Sequence, residues 1–274
     1  MSDITSLPVS ELRGRGSQRR QSIGLTLLAV IIAFAAFAPL FDDLGPVKQN
    51  LRSLLAGADA LAPFGYDHLG RSMFSRLAHA LRLSLTIAFA ATATATLLGI
   101  GLGLLAAWRG GWLDRLLTTM ADSVMAIPAL LMVLMMGVIL PVTSLAFFAG
   151  LAAVQWVEFF RVTRNTTRTL LNSPVIESAR LQQMGPVWIV RRVLWPEMGP
   201  MLRNLMALGV ANAIIAIAAL GFVSVGVKAP TPELGLMMVE LLPSWREAPM
   251  ALAQPVIACF LTLLSLILIA GERT

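Results

Sequence analysis

The residues that would be the natural start of a reactive centre are two histidines, His68 and His79, eleven residues apart, and a single cysteine, Cys259. Imidazole beside thiolates or carboxylates would make a metal or acid–base site, but the pattern does not continue. Cys259 lies inside an apolar run, which excludes an internal disulfide and any cysteine cluster. His68 falls in a loop and His79 on a helix surface without clustered carboxylates, so both read as plain polar residues and no metal site is expected. The fourteen methionines read as flexible apolar filler. The sequence contains no G-x-x-x-x-G-K-[ST] phosphate loop, no H-E-x-x-H and no G-x-S-x-G. The expectation is therefore no catalytic residue and no cofactor bound by this chain. Any energy for work on a solute must come from an ion gradient or another polypeptide.

The elements that carry these residues are membrane-like. The chain is 57% hydrophobic, with a mean hydropathy of +0.77, and its apolar residues gather into runs of a length that spans a bilayer. Six spans are predicted, at Ile23–Leu40, Leu83–Trp108, Leu116–Leu140, Val142–Phe160, Leu205–Val227 and Ala251–Ala270, giving an all-α membrane protein. Ala36-Phe37-Ala38 resembles a signal-cleavage site, but the apolar run is long and Pro39 would follow the cut, so the first span is read as retained. Placing the N-terminus inside puts fourteen of the 21 basic residues on the cytoplasmic side, which by the positive-inside rule makes both termini cytoplasmic. The net charge of +6 thus reports topology, and no nucleic-acid partner is expected. Residues 1–22 read as a basic tail resting on anionic lipid, and 23–274 as one membrane domain with an outer loop over 41–82. In that loop Leu69, Met73, Leu77 and Leu81 recur on one face while Arg71, Ser75 and His79 recur on another, which predicts an amphipathic surface helix.

Three features stand out within the spans. Ala91, Ala95, Gly99 and Gly103 form a small-xxx-small ladder, read as intramolecular helix packing before any dimer seam. Asp122 reads as the one acid well inside a span. It is expected to pair with Arg115, Arg109 or a neighbouring helix, with a place on a substrate path as the second reading. Pro128, further along the same helix, predicts a kink serving gating or packing. Between spans, the loop Arg161–Arg203 carries seven arginines against two acids, Glu177 and Glu197. Ser173-Pro174 reads there as a helix start, Gly185-Pro186 as a stop followed by a second short helix, and Trp195-Pro196 as its end. Two short helices on the membrane surface suit a partner's groove.

Glu177-Ser178-Ala179, with Pro196 nineteen positions after the Glu, resembles the EAA motif of membrane subunits of bacterial ATP-binding-cassette importers. The resemblance extends to Asp67-His68-Leu69-Gly70-Arg71, Phe74-Ser75-Arg76-Leu77, Arg82-Leu83-Ser84-Leu85, Gly110-Gly111-Trp112-Leu113-Asp114, Ala126-Ile127-Pro128-Ala129 and Val225-Gly226-Val227-Lys228-Ala229-Pro230-Thr231-Pro232. Together these look like the second permease of the dipeptide, oligopeptide and nickel importer group. The resemblance implies a type I importer permease fold in the bacterial inner membrane. Its cytoplasmic coupling helices would carry Glu177, Ser178, Ala179, Gln183, Gly185 and Pro196. It also implies a sister permease, two ATPase subunits holding ATP and Mg, and an extracytoplasmic substrate-binding protein. Peptides and nickel or other metal chelates are both in the group's range. Aligned without gaps, the motif's usual Gly falls on Gln183, which suggests a turn shifted to Gly185, and the chain ends at Gly271-Glu272-Arg273-Thr274, where relatives usually continue. A self-sufficient ion-coupled carrier or channel is the alternative; it calls for buried charge arrays that the sequence lacks. A membrane-anchored scaffold would not need six tightly packed spans.

Overall fold

A computed structural model describes residues 9–40, 44–140, 143–223 and 227–271. The expectations for Met1–Pro8, Phe41, Val142, Val225, Gly226 and the last three residues lie outside the described residues. The elements are α1 (Val9–Phe37), α2 (Met73–Arg109), α3 (Gly111–Met125), α4 (Ala129–Ile139), α5 (Thr143–Leu171), α6 (Pro174–Leu181), α7 (Pro186–Ile189), a π-wound turn (Val190–Leu194), α8 (Trp195–Phe222), α9 (Leu234–Leu241) and α10 (Pro249–Ala270). No strand occurs among the described residues. In a hydrocarbon core each backbone polar group must be satisfied within its own segment, and helices do this. Five helices are long and apolar enough to cross a membrane, or six if the bent pair α3 and α4 counts as one.

Several boundaries differ from the sequence reading. The segment from Val9 onward is helical and continuous with the first span, where a tail separate from the membrane domain was expected. Extending an existing helix adds one hydrogen bond per residue and needs no new nucleus, which outweighs Gly14 and Gly16. The separate surface helix does not exist either. α2 runs unbroken from Met73 to Arg109, and Met73, Ser75, Arg76, Leu77 and Leu81 are all buried, so both supposed faces are packed. Pro128 does more than kink its span: α3 and α4 meet at 88°. α5 continues past Phe160 to Leu171.

The chain divides into two compact units, Thr86–Ala216 and the combined stretches Met1–Leu85 and Ile217–Thr274. In the second of these, α1 packs along α10 so closely that a Cβ on Gly24 would lie 2.7 Å from the Ser265 carbonyl. The rings of Phe34, Phe64 and Phe74 cluster with centroids 5.3–6.0 Å apart. The loop before α2 is built on Asp67, which accepts the Leu69 and Arg71 backbone N–H groups at 2.8 and 2.9 Å and the Arg71 Nε at 2.6 Å. Glu240 on α9 accepts Arg71 Nη2 at 2.9 Å and Arg76 Nη2 at 2.5 Å. Both arginines are about 1% exposed, so these carboxylates hold charges that could not otherwise be buried. Glu233 caps α9 by accepting the Leu236 N–H at 2.8 Å. It fits only because Gly221 has no side chain: a Cβ there would overlap the Glu233 carboxylate.

The unit Thr86–Ala216 is assembled on small residues. A Cβ on Gly99 would collide with Phe159 Cβ and lie 2.7 Å from the Trp156 carbonyl, and one on Gly103 would lie 2.8 Å from Thr163 Cβ. Ala91 and Ala95, on the same stripe of α2, are fully buried. α4 approaches α5 through Gly150, whose added Cβ would stand 2.7 Å from Val133 Cα. Gln155 ties three helices together, accepting Thr92 Oγ1 at 2.9 Å and donating to the Gly209 carbonyl at 3.2 Å.

The Gly99→Leu, Gly103→Leu double variant is expected to abolish stable assembly, since each added side chain forces apart backbones at a cost of about 1–3 kcal/mol or more. Wild-type yield and detergent melting midpoint for this variant would refute the close-approach role.

Candidate functional site

The hydrophilic segment expected as a loop is mostly helix. α5 carries the chain from the membrane-spanning region to Leu171, Asn172 turns it, and α6 begins at Pro174. Pro fits there because the first turn of a helix has no use for its missing N–H. Ser173 stands at the N-cap position, but its hydroxyl makes no capping bond; only its carbonyl accepts, from Ile176 and Glu177 N–H at 3.1 and 3.2 Å. α6 ends in a Schellman turn, with Met184 N–H on the Ala179 carbonyl at 3.0 Å and Gln183 N–H on the Arg180 carbonyl at 2.9 Å.

That turn corrects the shift suggested by sequence. Gln183 itself has φ +58, whereas Gly185 has φ −69 in extended conformation, open to any side chain. The left-handed position stays where the motif places its Gly, and a glutamine occupies it. The second helix likewise does not end at Trp195-Pro196. Pro186–Phe222 runs on as one path through the π-wound turn, with Pro196 in the first turn of α8. The wider turn just before it gives the pyrrolidine ring room that a regular α-turn would deny.

Ile176 and Ala179 face inward with Ile189, Leu194, Met198 and Leu202, packing with Ala95 of α2 and Phe159 of α5. The opposite side of α6 and its turn is open. Glu177, Ser178 and Gln183 are exposed there, as are Val175, Leu181, Val187 and Trp188. A polar segment that leaves four large apolar side chains in the open on a rigid base has the character of a docking face.

Of the partners expected for Asp122, the neighbouring helix supplies the one found, with Asp122 Oδ1 2.5 Å from Arg161 Nη2 on α5. One level further along, Arg164 forms a bidentate pair with Asp114 of α3, with Nη2 at 2.7 Å from Oδ2, and Arg168 lies 3.4 Å from the same oxygen. α3 and α5 are thus joined by two ionic rungs. The sequence reading missed a second acid, Glu158, which lies midway along α5 and lines a cavity of about 490 Å³ with Gln155, Arg161 and Asn212. The signal was present inside the predicted fourth span, but ending that span at Phe160 made Glu158 look peripheral. His68 also has carboxylate neighbours after all, since Asp67 and Glu240 place ligand atoms within 4.8 Å of it. Those carboxylates already neutralise Arg71 and Arg76, so a metal ion would add uncompensated charge and the residues do not fit one.

Residues 99–271 match the family described as binding-protein-dependent transport system inner membrane component. The dipeptide transport system permease protein of Alkalihalophilus pseudofirmus is 30% identical, over 88% of this chain and 80% of its own length. Its counterpart from Haemophilus influenzae is 29% identical over 80% and 76%. The oligopeptide transport system permease protein of Bacillus subtilis is 29% identical over 87% and 78%. A chain of the MetNI methionine ABC transporter, solved in inward-facing conformations, has the same fold with a TM-score of 0.55. The two share 22% identity over 70% of this chain and 92% of that one.

Gln183→Gly is expected to stabilise the protein by about 1 kcal/mol, because glycine carries no penalty for a left-handed backbone. Gly185→Ala should be near neutral. Thermal unfolding in detergent measures both, and an unchanged or lower midpoint for Gln183→Gly would contradict the assignment.

Proposed function

From the premise that this chain belongs to the binding-protein-dependent inner membrane components, as an ABC importer permease of the dipeptide and oligopeptide group, we propose that it forms half of a translocation pathway for small peptides. A similar sister permease supplies the other half, two ATPase subunits supply the energy, and an extracytoplasmic binding protein delivers the substrate. One observation carries the coupling role: α6 is held on a buried apolar base while Glu177, Leu181 and Val187 stand free beside it. Such a helix can be pushed by a partner without deforming, and its displacement reaches α5 and α8 directly. The named relatives favour peptides, and no residue of the described chain favours a nickel chelate. The distribution of basic residues supports a cytoplasmic location for both termini and the Arg161–Arg203 segment.

Glu177→Lys should leave the protein inserted and paired with its sister permease while reducing ATP-driven uptake at least about tenfold. A reversed charge on a docked surface costs about 2–5 kcal/mol against its partner. Wild-type uptake with normal ATPase co-purification would remove the coupling role.

Orientation is tested at Thr169, which is exposed near the end of α5. Thr169→Cys in a Cys259→Ser background should resist an impermeant thiol reagent on intact cells and react after permeabilisation. Reaction on intact cells would invert the topology.

A further inference from the structure

We propose that Glu158 is the anionic contact that receives the protonated amino terminus of a peptide in transit, in the cavity lined by α3, α4, α5 and α8. The inference rests on the importer reading above. Glu158 lies about 4.5 Å along the axis of α5 before Arg161, where the segment assigned to the cytoplasm begins, so it stands near the cytoplasmic end of the span. Its side chain is exposed and makes no hydrogen bond or ion pair with the described residues. A carboxylate left against acyl chains is costly, so this one must meet water or a cation.

The nearest cation along its own helix is not free to serve. Arg161, one turn on, is held by Asp122 at 2.5 Å. With that pair neutral, Glu158 leaves the cavity with one unbalanced negative charge. The remaining lining matches a peptide's first residue. Leu130, Val133, Leu151 and Val154 form aliphatic walls, and Asn212 offers an exposed carboxamide that has no partner among the described residues. Gln155 is already committed to Thr92 and Gly209, so Asn212 is the amide available to a peptide group. A volume of about 490 Å³ falls in the range of small-ligand sites. Carboxylate, free amide and apolar wall together recognise an ammonium, an adjacent peptide unit and a small side chain. A basic side chain from the sister permease would satisfy the charge but leave the amide unused.

The test uses the complete importer in proteoliposomes with saturating binding protein, comparing wild type, Glu158→Gln and Glu158→Asp. The probes are radiolabelled dialanine and its N-acetyl derivative. Glu158→Gln should lower the maximal dialanine rate about tenfold, the scale of a lost charge-assisted contact, while Glu158→Asp keeps most of it. The acetylated peptide, which has no ammonium, should be carried equally by all three. Wild-type dialanine transport by Glu158→Gln would overturn the inference and leave the importer reading intact. So would loss of the sister permease from the purified Glu158→Gln complex, which would make Glu158 a subunit contact. If the wild type carries neither peptide, the peptide reading itself falls and takes this inference with it.

Discussion

The approach of α2 to α5 at Gly99 and Gly103 is the constraint on which the unit Thr86–Ala216 depends. Lipid is as apolar as leucine, so helices in a bilayer gain little from hiding apolar surface from one another and must gain from close contact. Here the two glycines lie directly on α5, with Phe159 Cβ, Thr163 Cβ and backbone atoms of Trp156, Phe160 and Arg164 filling the space that two missing side chains leave. Fixing α5 at that distance also fixes its rotation. Arg161 and Arg164 then fall opposite Asp122 and Asp114, Gln155 reaches both Thr92 and Gly209, and Glu158 lines the cavity without a partner among the described residues. The ionic rungs and the amide clamp follow from the packing; alone they would be too weakly specified to set a register.

The same unit holds both the open face of α6 and the cavity with Glu158. The apolar cluster under α6 includes Phe159, the residue beside Glu158 on α5 and one that Gly99 touches. In the readings proposed above, the partner's face and the solute's cavity therefore adjoin the same stretch of α5. In the coupling proposed for this chain, no long chain of intermediates is needed between them.

The spans, the packing ladder and the start of α6 at Pro174 were legible because they rest on local signals: runs of apolar residues, a four-residue repeat and the preference of proline for a helix's first turn. The end of α5 was not. Arg161, Arg164 and Arg168 look like loop residues until Asp114 and Asp122 are known to face them. Trp195-Pro196 looked like a stop, since nothing local announces the π-wound turn that accommodates the proline. The cluster of Asp67, Arg71, Arg76 and Glu240 joins positions more than 160 residues apart, beyond any spacing rule. Gln183 was the hardest case. A glutamine in a left-handed turn breaks the usual preference and is tolerated because the two hydrogen bonds around it hold the turn closed.

The unbroken length of α5 has a mechanical consequence. Its tightest contact, at Phe159, divides the helix unequally, with twelve residues towards α6 and sixteen towards Thr143. A rod pivoting there has arms of about 18 Å and about 24 Å at 1.5 Å per residue. A sideways push of about 1 Å delivered at Leu171 therefore appears as a swing of about 1.3 Å at Thr143, in the opposite direction. The glycine seam acts as a fulcrum, and its position along the rod sets the gearing.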